Sequence, residues 1–99
     1  AFNRRFVMRD GTARTHPGIC NPDVLYCEGP IDPEVSVMTF TGADGKAVAT
    51  MLHHTCHPVH GYPLRYISHG WPGAWAEGVR DLYGPQCIPL VINGACGNI

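Results

Sequence analysis

The stretch from Ala47 to His60, AVATMLHHTCHPVH, constrains this chain more than any other. Val48, Thr50, Leu52, His54 and Cys56 alternate with Ala49, Met51, His53 and Thr55, the period of a strand with two distinct faces. Pro58 ends the ladder because it has no backbone N–H to give. The spacing predicts a strand over 47–56 with His57 at its C-terminal lip. Ligands of open α/β sheets collect outside such lips. Four of the six histidines, His53, His54, His57 and His60, fall in this stretch. His53 and His54 are adjacent, so they point to opposite faces and cannot share one metal; His54 reads as a packing residue and His60 as a loop histidine.

The flanking segments build around that strand. Glu34 to Thr41 alternates Val35, Val37 and Thr39 against Ser36, Met38 and Phe40. Gly42 to Lys46 is a hairpin loop, in which Asp44-Gly45 supplies a positive φ. After a loop over 61–70, Pro72 suits the first position of a helix. Trp75, Val79 and Leu82 follow at helical spacing, and Gly84-Pro85 stops the helix. Trp71 and Trp75 read as residues that pack it on a sheet. Cys87 to Ile92 is an apolar strand weakened by Pro89. It exits into Asn93–Asn98, NGACGN. Strand, loop, helix, strand is an α/β order. Parallel pairing of 87–92 with 47–56 would bring His57 beside the 93–98 loop. Residues 4–8 suit a short strand and Asp10-Gly11 a turn. Thr12 to Pro33 shows no period and four proline-bearing turn signals, so it is expected as a long ordered loop.

At 99 residues the chain is one domain or less, with formal charge −1. It has no basic cluster, which argues against a nucleic-acid partner. No apolar run reaches membrane-spanning length. The opening Ala-Phe-Asn-Arg-Arg and the closing Gly-Asn-Ile suggest an interior piece of a longer protein, partnered by the rest of its parent chain. The five cysteines form no Cys-x-x-Cys pair, against a structural zinc knuckle. Cys20 and Cys27 share a loop, which leaves a disulfide open; Cys56, Cys87 and Cys96 read as small buried thiols.

Several short segments then line up. Asn3-Arg4, Asn21-Pro22, Ile31 to Met38, Asp44-Gly45-Lys46, Thr55-Cys56-His57, Ile67-Ser68 with Gly73-Ala74, and Gly97-Asn98-Ile99 together resemble the neutral ceramidase family in collinear order. The closer fit is to a divergent bacterial, ceramidase-like branch. The resemblance implies a fragment of a mixed-sheet α/β/α catalytic domain, represented here by a β-hairpin, a helix and a strand. It implies a zinc-dependent hydrolase that cleaves an N-acyl, ceramide-like amide. The protein would be secreted or periplasmic and would meet a small-molecule or lipid amide, at a membrane surface. Of the family's zinc ligands (two His, a Glu and a Tyr) only His57 would lie here. Arg4 would face the active site, and Asn98 stands where the family carries an Asp. Gly70 replaces an acidic residue, and Pro58-Val59 replaces small polar ones.

The residues themselves support parts of this reading. A neutral imidazole is a good zinc ligand, and a catalytic zinc keeps one position for water. The planar fork of Arg4 suits a carboxylate, a hydroxyl or developing oxyanion charge. The Gly94 and Gly97 region offers backbone N–H groups to a substrate oxygen. Set against this, His57 also reads as a hydrogen-bonded histidine at a strand end, the reading its spacing alone favours. Asn98 and Gly70 motivate a rival: a non-catalytic lipid- or carbohydrate-binding homologue that kept the fold. An esterase-type metallohydrolase on the same scaffold is a third reading. A surface site joining Cys56 to His60 has no other support in the sequence.

Overall fold

The computed structural model describes residues 1–59 and 65–99. Its elements, in order, are β1 (Arg5–Met8), β2 (Ala13–Thr15), β3 (Val24–Cys27), β4 (Val35–Thr41), β5 (Ala47–His54), α1 (Gly70–Tyr83) and β6 (Ile88–Asn93). These make a mixed α/β chain with two three-stranded sheets, ordered β2-β1-β3 and β4-β5-β6, and one helix.

The second sheet follows the sequence pattern closely. β4 and β5 pair antiparallel, Val35 opposite His54 and Thr39 opposite Thr50. Gly45 closes their loop at φ 77°, a conformation that costs glycine little. β6 pairs parallel to β5, Ala49 beside Ile88 and His54 beside Asn93. β5 is therefore the central strand. Pro89 lies on the edge strand β6, where its missing N–H is tolerated.

α1 crosses over one face of this sheet. Val79 is buried, while Trp75 and Leu82 line a cavity of about 310 Å³ with Val37 and Thr50. Leu82 is largely exposed, so the helix seats less deeply than its spacing suggests. Trp71 stacks edge-on against His54, ring centroids 5.7 Å apart. His54 is thus a packing residue, as expected.

Several boundaries differ from the sequence reading. Residues 12–33 are not one loop: β2 and β3 flank β1 antiparallel, Arg5 opposite Thr15 and Phe6 opposite Cys27. Both strands are short and mostly exposed, so no buried face imprints a period on them. α1 begins at Gly70, which makes Pro72 its third residue. Pro72 still sits in the first turn, where N–H groups have no intrahelical partner. β5 ends at His54, two residues early. β6 runs one residue later than expected, so Asn93 belongs to the strand. Cys20 and Cys27 are free thiols, and the Cys27 thiol donates to Asn3 O at 3.2 Å. The expectations for His60, the Cys56–His60 pair and loop residues 61–64 fall outside the described residues.

Candidate functional site

The parallel β5–β6 pair sets the geometry of the site. Both strands end at the same lip, so Thr55–Pro58 and Asn93–Ile99 leave the sheet side by side. Two bonds fasten them. Gly94 N–H donates to His54 O at 3.3 Å, and Cys56 N–H donates to Asn93 Oδ1 at 3.3 Å. Gly94 has to be glycine: an added Cβ would lie 2.1 Å from Oγ1 of the buried Thr55. The N–H of Gly94 is spent on this fastening, so it faces β5 and not a substrate.

The chain's N-terminal segment reaches the same lip. Arg4 N–H donates to Asn98 O at 2.7 Å, and Arg4 Nη2 donates to Gly97 O at 2.9 Å. The 97–98 segment thus turns carbonyls toward Arg4, where the sequence reading expected N–H groups for an oxyanion. Arg4 Nη2 also lies 3.4 Å from His57 Nε2. On the far side of the ring, His57 Nδ1 lies 3.6 Å from Cys96 Sγ, and Asn93 Nδ2 donates to that sulphur at 3.3 Å. Arg4, His57, Gly97 and Asn98 are therefore brought together, Asn98 through its backbone. Gly94 lies behind them.

His57 and Arg4 line a surface trough of about 490 Å³, with Phe2, Val59 and Ile99 as its apolar walls. A second trough of about 550 Å³ under residues 16–21 shares Phe2 and His16 with it but contains neither His57 nor Cys96. Arg4 Nε is buried without a hydrogen-bond partner among the described residues, so the guanidinium is only partly satisfied. An unmet buried donor costs about 1–3 kcal/mol, which favours rearrangement when an acceptor arrives.

A zinc ion, as the resemblance implies, needs about three protein donors. Among the described residues no three His, Cys, Asp or Glu side chains converge to hold a metal. His57 alone presents a suitable atom. Its Nε2 faces the Arg4 guanidinium, a group that can only donate, so that nitrogen carries the lone pair a metal would use. His57 fits as one ligand of a larger set, provided Arg4 gives way. His53 and His54 do not join it: His54 is stacked on Trp71, and His53 lies behind Gly94. His69 pairs with Glu77 at 3.2 Å on the helix surface.

Cys96 and Asn93 are the site residues that sequence reasoning did not single out. The available signal was their separation of three residues across the strand exit, which folds the Asn93 amide back onto the thiol. Comparison with protein-family models, curated proteins and solved structures returns no match.

Proposed function

We propose that this chain carries part of the catalytic centre of a zinc-dependent hydrolase that cleaves an N-acyl amide, with His57 as one metal ligand. The observation that carries the reading is the meeting of His57, Arg4 and the 93–99 segment at one strand lip, beside an apolar trough. When bound, zinc lowers the pKa of its water toward neutrality and polarises an acyl carbonyl. The remaining work falls to this chain. Phe2, Val59 and Ile99 would take up a hydrocarbon chain and exclude water from it. Arg4, released from His57, would direct its N–H groups at the acyl oxygen.

The other zinc donors would come from further parts of a longer protein, in an α/β/α domain. One sheet face supports that architecture. By register, Met38, Phe40, Ile88, Leu90 and Ile92 share the face opposite α1, and each is between 42% and 58% exposed. Five apolar side chains on one face suit a second covering layer.

A fold-retaining binding homologue is the second reading. It is favoured by the hydrogen bond between Arg4 and His57, which already occupies the ligand atom. Metal analysis of the full-length protein decides, with His57→Ala beside wild type. One zinc per chain in the wild type, lost in the variant, is the expected result. Full zinc occupancy in His57→Ala, or none in the wild type, would overturn the assignment. A panel of N-acyl amides and matched esters then separates an amidase from an esterase.

A further inference from the structure

The hydrogen bonds around His57 have donors and acceptors that fit in only one sense. At one end lies Cys56, whose backbone N–H can only donate. It lies 3.3 Å from Asn93 Oδ1, which fixes the orientation of that amide. Asn93 Nδ2 is then turned to Cys96 Sγ, and the sulphur accepts. At the other end the Arg4 guanidinium can only donate, so His57 Nε2 accepts from it. A neutral imidazole with its lone pair on Nε2 carries its proton on Nδ1. The partner of Nδ1 is Cys96 Sγ, at 3.6 Å, a reach that suits the larger radius of sulphur. Reversing this bond would place Nε2–H against an Arg4 N–H, donor facing donor.

We propose that Cys96 is the positioning residue of His57: its sulphur accepts the Nδ1–H and so presents the Nε2 lone pair to the trough. This rests on the reading of Nε2 as the ligand atom. The circuit is closed. Cys96 holds Nδ1, the adjacent Gly97 O holds Arg4, and Arg4 covers Nε2 until a ligand displaces it. Metal-bound histidines commonly donate their second N–H to a carboxylate or a carbonyl. Here a thiol fills that role, steadied by the Asn93 amide at the end of β6.

The test uses the full-length protein with ¹⁵N-labelled histidine and no metal. Long-range ¹H–¹⁵N spectra report which nitrogen of His57 carries the proton. Wild type and Cys96→Ser are expected to show Nδ1–H. Because Arg4 also disfavours Nε2–H, the anchor is read with Arg4 removed. Arg4→Met is expected to keep Nδ1–H, and Arg4→Met/Cys96→Ala to move His57 toward the Nε2–H form. Zinc affinity, read by competition with a chromophoric chelator, should fall about 10–100-fold in Cys96→Ala and recover in Cys96→Ser. A retained Nδ1–H signal in Arg4→Met/Cys96→Ala, with zinc affinity unchanged in Cys96→Ala, would overturn the proposal. Should Cys96→Ala fail to fold, Cys96→Ser decides alone, because loss of Nδ1–H there rejects the anchor. A wild type that binds no zinc would remove the metal reading and leave the tautomer result standing.

Discussion

The carboxylate of Glu28 takes two N–H donors from the Arg5 guanidinium and ties the end of β3 to the start of β1. The Arg5 hydrogen bond, opposed in part by desolvation and helped by the Arg5 charge, holds the Glu28 carboxyl below its usual range. A depressed folded-state pKa means the pair contributes above the unfolded value and is lost as pH falls through the folded one. The β1–β3 junction is therefore expected to loosen in acid, below the ordinary glutamate range. A carbon-detected NMR titration of Glu28 should give a midpoint below that of a free glutamate, and Arg5→Met should return it. Site residues were legible to different degrees. His57 was marked by the proline that follows it, and Arg4 only by the resemblance. Cys96 gave only the weak signal of its spacing from Asn93, because a thiol in a glycine-rich loop has no period and its contact depends on a side chain three residues back on another element.

β5 is the best specified element. Alternation over eight residues, a turn before it and a proline after it all agree, and it became the central strand. β2 and β3 went unread because strands of three and four residues with exposed faces carry no alternation, and the short apolar run Val24–Cys27 sits between proline-bearing turns. Their pairing with β1 is a property of tertiary contact. β5 also contains a local conflict that the sequence hides. Thr50 is only 1% exposed, and its Oγ1 has no hydrogen-bond partner among the described residues. A buried hydroxyl without a partner is a cost, and valine has nearly the same shape and β-branching. Thr50→Val is expected to raise stability by about 1 kcal/mol. Denaturant unfolding of the full-length protein should show a higher midpoint at an unchanged slope; a lower midpoint would mean that the hydroxyl has a partner after all.

The described residues form a slab, 61 × 30 × 14 Å, with a radius of gyration of 18.3 Å. A compact domain of this length has a radius near 13 Å. Among the described residues the buried apolar set is Met8, Leu52, Cys56, Val79 and Cys87. Each such side chain contributes about 1.5–3 kcal/mol at best. Ordering each residue of the backbone costs about 1–2 kcal/mol. A slab of this thickness leaves one face of the β4-β5-β6 sheet open, and the apolar side chains on that face gain little until something covers it. Produced alone, residues 1–99 are therefore expected to melt broadly, without a cooperative transition, and to bind a hydrophobic dye at low temperature. Circular dichroism against temperature, with dye fluorescence beside it, measures this. A sharp transition with no dye binding would mean that these residues form a self-sufficient core, and would remove the open face as support for a covering layer. The broad melt would instead make the His57 lip depend on a layer that covers the open face, since a strand end that is not held rigid cannot keep His57, Arg4 and Cys96 in register.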